Sequence, residues 1–249
     1  MSMPHLRLIT QYLLHKHWVW VAFFALGFLA PWILFVHLAE EIWRHDGFVH
    51  DQLILGWLQA RRHPTLDAGA VILSRLGGPV AMWALSLGLM GGLLVARARW
   101  QAWFVGTAMG GSWLLNLLGK ALLARTRPIE WEPLVEEPIV PATVYSFPSG
   151  HAMAAAALAT VLILLLWSTR WRGLACGLGL GWALAMGLAR VYLGAHFPTD
   201  VLAGWVGSIG WVIGLYLLLF RACDSGNAAG PPGQPGANVA AKSPERPAY

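Results

Sequence analysis

Residues Phe147 to Trp167 read FPSGHAMAAAALATVLILLLW. From Ala152 onward this stretch holds no charged side chain, and a bilayer-crossing helix asks for about 20 mostly apolar residues. It is read as a membrane span running from His151 to Trp167. Directly before it stand Pro148, Ser149 and Gly150, with His151 at the junction. An apolar span with a small, polar doorstep sets both the class of fold and the place to look for chemistry.

Working outward, five further runs have the same character: Trp18 to Ala39, Pro79 to Val95, Trp100 to Leu118, Gly173 to Leu193 and Asp200 to Phe220. Pro31 is placed to kink the first. That run is too long for a signal-peptide core, and Glu40-Glu41 follows in place of a small-residue cleavage site, so it reads as a retained anchor. The expected fold is all-α, a polytopic bundle of six transmembrane helices. Composition agrees. Of 249 residues, 57% are hydrophobic and 12% charged, and fifteen are Trp; the charged share is about half that of soluble domains. Disordered chains, nucleic-acid modules and disulfide scaffolds are excluded as the main reading. Neither Cys176 nor Cys223 sits where a bridge or metal site would be expected. The net charge of +5 suits anionic headgroups better than a nucleic-acid footprint.

Three units follow. Residues 1–46 form an N-terminal segment with the first span, 47–222 the core, and 223–249 a tail. From Asp224 the tail reads DSGNAAGPPGQPGANVAAKSPERPAY and is too poor in apolar residues to fold. Between the first two spans, Gly47 to Leu76 mixes Phe48, Leu53, Ile54, Trp57 and Leu58 with Asp51, Arg61 and Arg62. That pattern fits a helix lying at the interface, or a connector packed on the bundle. With Arg7, Lys16, Arg97, Arg99, Arg170, Arg172 and Arg221 counted as cytoplasmic, the positive-inside rule places the N-terminus inside. The raw count does not decide; the inside is favoured once Lys120, Arg125, Arg127 and Arg190, assigned to a site below or placed beside it, are set aside. This topology puts the site on the extracytoplasmic face of the inner membrane.

Three polar islands break the apolar pattern. The first is Lys120 to Pro128, KALLARTRP, in which Lys120 and Arg127 are seven apart and so share a helix face. Alone it reads equally as cations snorkelling to headgroups. The second is Pro148 to His151, where Ser149 suits an N-cap and the start of a helix offers N–H groups to an anion. The third is Arg190 to Asp200, RVYLGAHFPTD, with His196 four residues before Asp200. A carboxylate so placed can fix the imidazole tautomer and raise the basicity of its other nitrogen, although an Arg–Asp pair could simply close a hairpin. Counting spans decides between these readings. The end of the third, the start of the fourth, the end of the fifth and the start of the sixth share one membrane face, so all three islands meet. Three cations, a helix start and two histidines form an inventory for phosphoryl transfer. Residue chemistry leaves either histidine as nucleophile; the spacing to Asp200 points to His196. The other histidines show no metal-ligand spacing, and no metal or cofactor is expected.

At these residues the chain resembles the type 2 phosphatidic acid phosphatase (PAP2) superfamily, whose signature is KxxxxxxRP, PSGH and SRxxxxxHxxxD. The three parts stand here in order at Lys120–Pro128, Pro148–His151 and Arg190–Asp200, within a similar region from about Phe48 to Phe220. Ala189 replaces the serine that precedes the arginine in the family pattern, a phosphate donor there. By this resemblance His196 is the nucleophile, Asp200 its orienting partner and His151 the general acid. Lys120, Arg127, Arg190, Ser149 and the Gly150 N–H bind the phosphate. Arg125 lies outside the pattern. The implied function is a membrane lipid phosphatase working through a phosphohistidine. Undecaprenyl diphosphate is the favoured substrate, with phosphatidylglycerophosphate and phosphatidic acid next. Its partners are that lipid and the bilayer, with no nucleic acid. The acidic stretch with Glu130, Glu132, Glu136 and Glu137 is expected to shape the entrance. A lipid phosphotransferase using the same site, or a non-catalytic transporter or anion-binding membrane protein, are the competing functions.

Overall fold

The computed structural model describes residues 18–45, 47–128 and 145–228, the last nine by backbone alone. Arg7, Lys16, the histidines at 5, 15 and 17, the acidic stretch from Glu130 to Glu137 and residues 229–249 of the tail lie outside the described residues. Every regular element among the described residues is helical. Helix α1 spans Trp18–His45, followed by α2 (Val49–Gln59), α3 (Pro64–Leu76), α4 (Pro79–Val95), α5 (Arg99–Leu123), α6 (Gly150–Leu166), α7 (Arg172–Tyr192) and α8 (Pro198–Ala228).

Among the described residues, three helices can cross a membrane by length and composition, namely α1, α7 and the Pro198–Leu219 part of α8. A fourth span arises if α3 and α4, bent by 45° at the Gly77-Gly78 break, count as one. The six expected spans thus differ from what the helices supply on these grounds, for two physical reasons. Helix α6 is apolar but only 17 residues long, about 25 Å. Helix α5 is long, but Gln101, Asn116 and Lys120 dilute its apolar character.

Local chemistry explains several boundaries. Pro31 cannot donate a backbone hydrogen bond, and the helix widens to π geometry over Ala25–Leu29 just before it, with the Ala30 N–H bonded to the Ala25 carbonyl. The expected single interfacial helix is two. The chain breaks after Gln59, and His63 then starts α3, its ring accepting from the Thr65 N–H with Pro64 in the first turn. The tail boundary expected at 223 falls inside α8, which runs on to Ala228.

Helix α6 is the hub, packing on α5, α7 and α8. Its buried face is mostly alanine: Ala152, Ala155, Ala156, Ala157 and Ala159. Small side chains let helix backbones approach closely, which is how helices associate where lipid removes the usual apolar driving force. The tightest approach involves Gly204 of α8. A Cβ there would stand 2.9 Å from the Ser149 carbonyl oxygen and 3.2 Å from both the Ala152 Cβ and the Met153 nitrogen. These are the first turn of α6, so the crossing fixes α8 against the polar doorstep. Around the hub, Met82, Phe104, Val105, Ala108, Met109, Leu158, Val161 and Val212 form the largest buried cluster.

Gly204→Ala is expected to lower the thermal midpoint in detergent, a cost of about 1–3 kcal/mol for overpacking. Gly88→Ala, where nothing lies within 4 Å, should be neutral or stabilise by up to about 1 kcal/mol. Equal midpoints for the two variants would show that the α6–α8 crossing is looser than described.

Candidate active site

Helix α7 ends in a Schellman turn. The Gly194 N–H donates to the Val191 carbonyl and the Ala195 N–H to the Arg190 carbonyl, 3.0 and 3.1 Å, with Gly194 at φ +70°. A left-handed residue at that position favours glycine. The turn reverses the chain within four residues and delivers His196 beside the end of the helix that carries Arg190. Helix α8 starts two residues later. Asp200, in its first turn, accepts a hydrogen bond from the Phe197 N–H at 2.9 Å, half of a capping box. Local caps thus place Arg190, His196 and Asp200 within one corner.

Helix α6 begins against that corner. The Ser149 N–H donates to the Asp200 backbone carbonyl at 3.0 Å. Ser149 occupies the N-cap position with extended backbone, as expected, yet its side chain makes no capping bond. Its hydroxyl is buried without a hydrogen-bond partner among the described residues. From α5, Asn116 donates to the Pro148 carbonyl at 2.9 Å. One turn further, Lys120 donates from Nζ to the Tyr145 carbonyl.

Arg127 departs from the sequence reading. Helix α5 stops at Leu123, and Ala124 adopts left-handed geometry, φ 45° and ψ 31°. Arg127 therefore lies beyond the helix and does not share its face with Lys120. The chain turns away before Pro128 could end the helix, and Arg125 enters the interior. Arg127 still reaches the same place, donating from Nη1 to the Ala195 carbonyl at 3.4 Å.

One cavity of about 290 Å³ gathers Lys120, Arg127, Gly150, His151 and His196 in its walls. The rest of its lining comes from α4, α5 and α6 and is mainly apolar, including Met82, Trp83, Met109 and Trp113. Along α5 the wall runs from Met109 to Lys120, about 16 Å at the helical rise, with the charge at one end. Ser149, Arg190 and Asp200 do not line this cavity and are fully buried. The His196 Nδ1 stands 3.6 Å from Asp200 Oδ2, an ion-pair distance rather than a hydrogen bond. Among the described residues, no three His, Cys, Asp or Glu side chains meet in a metal-binding group.

Sequence reasoning passed over three polar residues. Arg125 donates to Asp200 Oδ1 at 2.6 Å and to Asp51 Oδ2 at 2.8 Å, with all three side chains at most 2% exposed. Ser74 of α3 accepts from Arg190 Nη1 at 2.6 Å. The signals available were an unassigned cation inside the first island, the one acid of α2 and the one serine of α3. None has a spacing that points to its partner.

The sequence pattern of the PAP2 superfamily matches residues 101–223. Over 149 residues the chain is 31% identical to phosphatidylglycerophosphatase B of Bacillus subtilis, covering 58% of this chain and 70% of that one. The chain belongs to the PAP2 superfamily. It is also 37% identical over 95 residues to an undecaprenyl-diphosphatase of Sulfolobus acidocaldarius, 37% of this chain and 43% of that relative. The crystal structure of a transmembrane PAP2 type phosphatidylglycerolphosphate phosphatase from Bacillus subtilis superposes with a TM-score of 0.65 at 27% identity, covering 79% of this chain and 96% of that one. Asp51 and Ser74 both lie ahead of the stretch that the superfamily pattern matches.

Against that pattern, Ala189 packs in a small apolar cluster with Ala70 and Leu193. The hydroxyl beside Arg190 comes from Ser74, one turn along α3 from Ala70. Ser74→Ala is expected to lower kcat/KM for a phosphorylated lipid about tenfold, the loss of one charge-assisted hydrogen bond. An unchanged kcat/KM would show that Arg190 is held without it.

Proposed function

We propose that this PAP2 protein is a lipid phosphatase that releases phosphate from a lipid phosphate or diphosphate. Undecaprenyl diphosphate is the first candidate, and phosphatidylglycerophosphate and phosphatidic acid come next. The observation that carries the reading is a cavity in which two cations and two histidines stand at one end of a mainly apolar trough. An amphiphile fits such a site with its phosphate among the cations and its chain along α4 and α5. Relatives named for phosphatidylglycerophosphate and for undecaprenyl diphosphate support the same class.

In the proposed chemistry Lys120, Arg127 and the Gly150 N–H meet the phosphoryl oxygens from the cavity wall, and Arg190 and the Ser149 hydroxyl, buried behind that wall, join the cradle when the substrate binds. A ring nitrogen of neutral His196 attacks phosphorus as the bond to the leaving oxygen breaks, and His151 gives that oxygen a proton. Water then attacks the phosphohistidine and frees inorganic phosphate. Asp200 orients the imidazole and balances the charge that forms on it. The cations supply the electrostatic stabilisation, so the scheme requires no metal. We place six helices across the inner membrane, with α4, α5 and α6 completing the set and the site on the extracytoplasmic face.

The test is phosphate release by the detergent-purified chain from the three lipids side by side. His196→Ala is expected to abolish release and His151→Ala to reduce it about a hundredfold or more. Release by His196→Ala at the wild-type rate would remove the nucleophile assignment. Orthovanadate, which mimics pentacoordinate phosphorus, should inhibit, and EDTA should not. Activity lost in EDTA and regained with magnesium would overturn the metal-free scheme.

A further inference from the structure

The polar side chains behind His196 reach beyond the superfamily signature. Arg125 bridges two carboxylates, with Nη1 at 2.6 Å from Asp200 Oδ1 and Nη2 at 2.8 Å from Asp51 Oδ2. Asp51 is in turn fixed by Thr199, whose N–H and hydroxyl donate to it at 3.1 and 2.5 Å. Arg125 also donates to the Thr199 hydroxyl at 3.0 Å, and its guanidinium lies 4.0 Å over the Phe197 ring. The guanidinium packs against the backbone of Gly47, where a Cβ would fall 2.1 Å from Nη2 and displace it. Apart from Gly47, the partners named for the Arg125–Asp51 pair are Phe197, Thr199 and Asp200, in the segment that follows His196.

We infer that Asp51 and Arg125 are positioning residues for His196: they hold the Asp200 carboxylate behind the imidazole and set how much of its charge reaches the ring. Neither lines the cavity, so both act through Asp200. The inference rests on the proposal that His196 is the nucleophile. Arg125 occupies Oδ1 of Asp200, while Oδ2 serves the Phe197 N–H and faces His196 Nδ1. Asp51 offsets part of the arginine charge that would otherwise be spent on Asp200. Two buried carboxylates sharing one guanidinium leave a net negative field directed at the ring.

The sign of each substitution follows. His196 attacks as the neutral imidazole, so the acid limb of kcat/KM reports loss of its proton. In Asp51→Asn, Arg125 compensates Asp200 more completely, the field at the ring weakens, and the limb moves to lower pH. In Arg125→Gln, Asp200 is left uncompensated and the limb moves to higher pH. Shifts of about half to one pH unit are expected for a charge removed at this distance. Arg125→Lys keeps the charge but cannot grip both carboxylates in one planar fork. Its limb should stay near the wild-type position while kcat falls about tenfold or more. The other charges around His196 are unaltered in all three variants: Lys120 on α5, Arg127 after it, His151 on α6, Arg190 on α7 and Asp200 on α8. The ionisation of the substrate is common to all as well.

The experiment is the pH profile of phosphate release from undecaprenyl diphosphate in mixed micelles. It is run on the full-length wild type, the three variants and His196→Ala, with thermal midpoints measured alongside. Opposite displacements of the limb in Asp51→Asn and Arg125→Gln, with Arg125→Lys unshifted, support the inference. Limbs that stay put, or move in the same direction, in variants that fold overturn it. If Arg125→Gln does not fold, the downward shift in Asp51→Asn and the fixed limb of Arg125→Lys decide the matter. Turnover surviving in His196→Ala, or absent from the wild type, would instead overturn the functional reading beneath.

Discussion

Arg125 is held between Asp51 and Asp200, and the geometry of the site depends on that grip. It joins α2, the segment after α5 and the first turn of α8 in one buried ionic group. Removing one partner from such a group strands a charge in the interior at a cost of about 3–5 kcal/mol, although a well-packed apolar replacement of the whole group can match its stability. The value of the arrangement is therefore direction rather than strength. Arg125, the Phe197 N–H and His196 all converge on the Asp200 carboxylate. Together they leave its carboxylate few orientations.

The helices below that corner follow a different logic. Lipid supplies little apolar force between helices, so α6 relies on alanine and α8 on Gly204 to bring backbones together. The same close packing does not extend between α4, α5 and α6, where Trp83, Met109 and Trp113 leave a trough. Charged and titratable side chains gather at one end of this trough, around Lys120 and His151, and mainly apolar ones occupy the rest. A site divided in this way suits a ligand that is itself divided, with a charged head and an apolar chain.

Much of this was legible in the sequence. The uncharged run after His151 marks α6, and the spacing from Arg190 through Gly194 to His196 and Asp200 encodes a helix end, a left-handed turn and a helix start. Periodicity and capping act over a few residues, so they can be read along the chain. Six spans are not recovered from helix length and composition where a helix mixes roles: α5 packs in the bundle and also carries Asn116 and Lys120 to the site. The expected shared helix face of Lys120 and Arg127 failed at Ala124, whose left-handed geometry no local preference of alanine predicts.

Sequence by itself determined the helical, membrane class of this protein and its three polar islands, because these follow from local hydrophobicity and spacing. Tertiary structure alone decided what stands behind the islands. Arg125 meets Asp200 across 75 residues and Asp51 across 74, and Arg190 meets Ser74 across 116. A single buried charge on an apolar helix declares that it needs a partner, but only the packing of helices chooses which one, since the cost of leaving it unpaired is the same wherever the partner comes from.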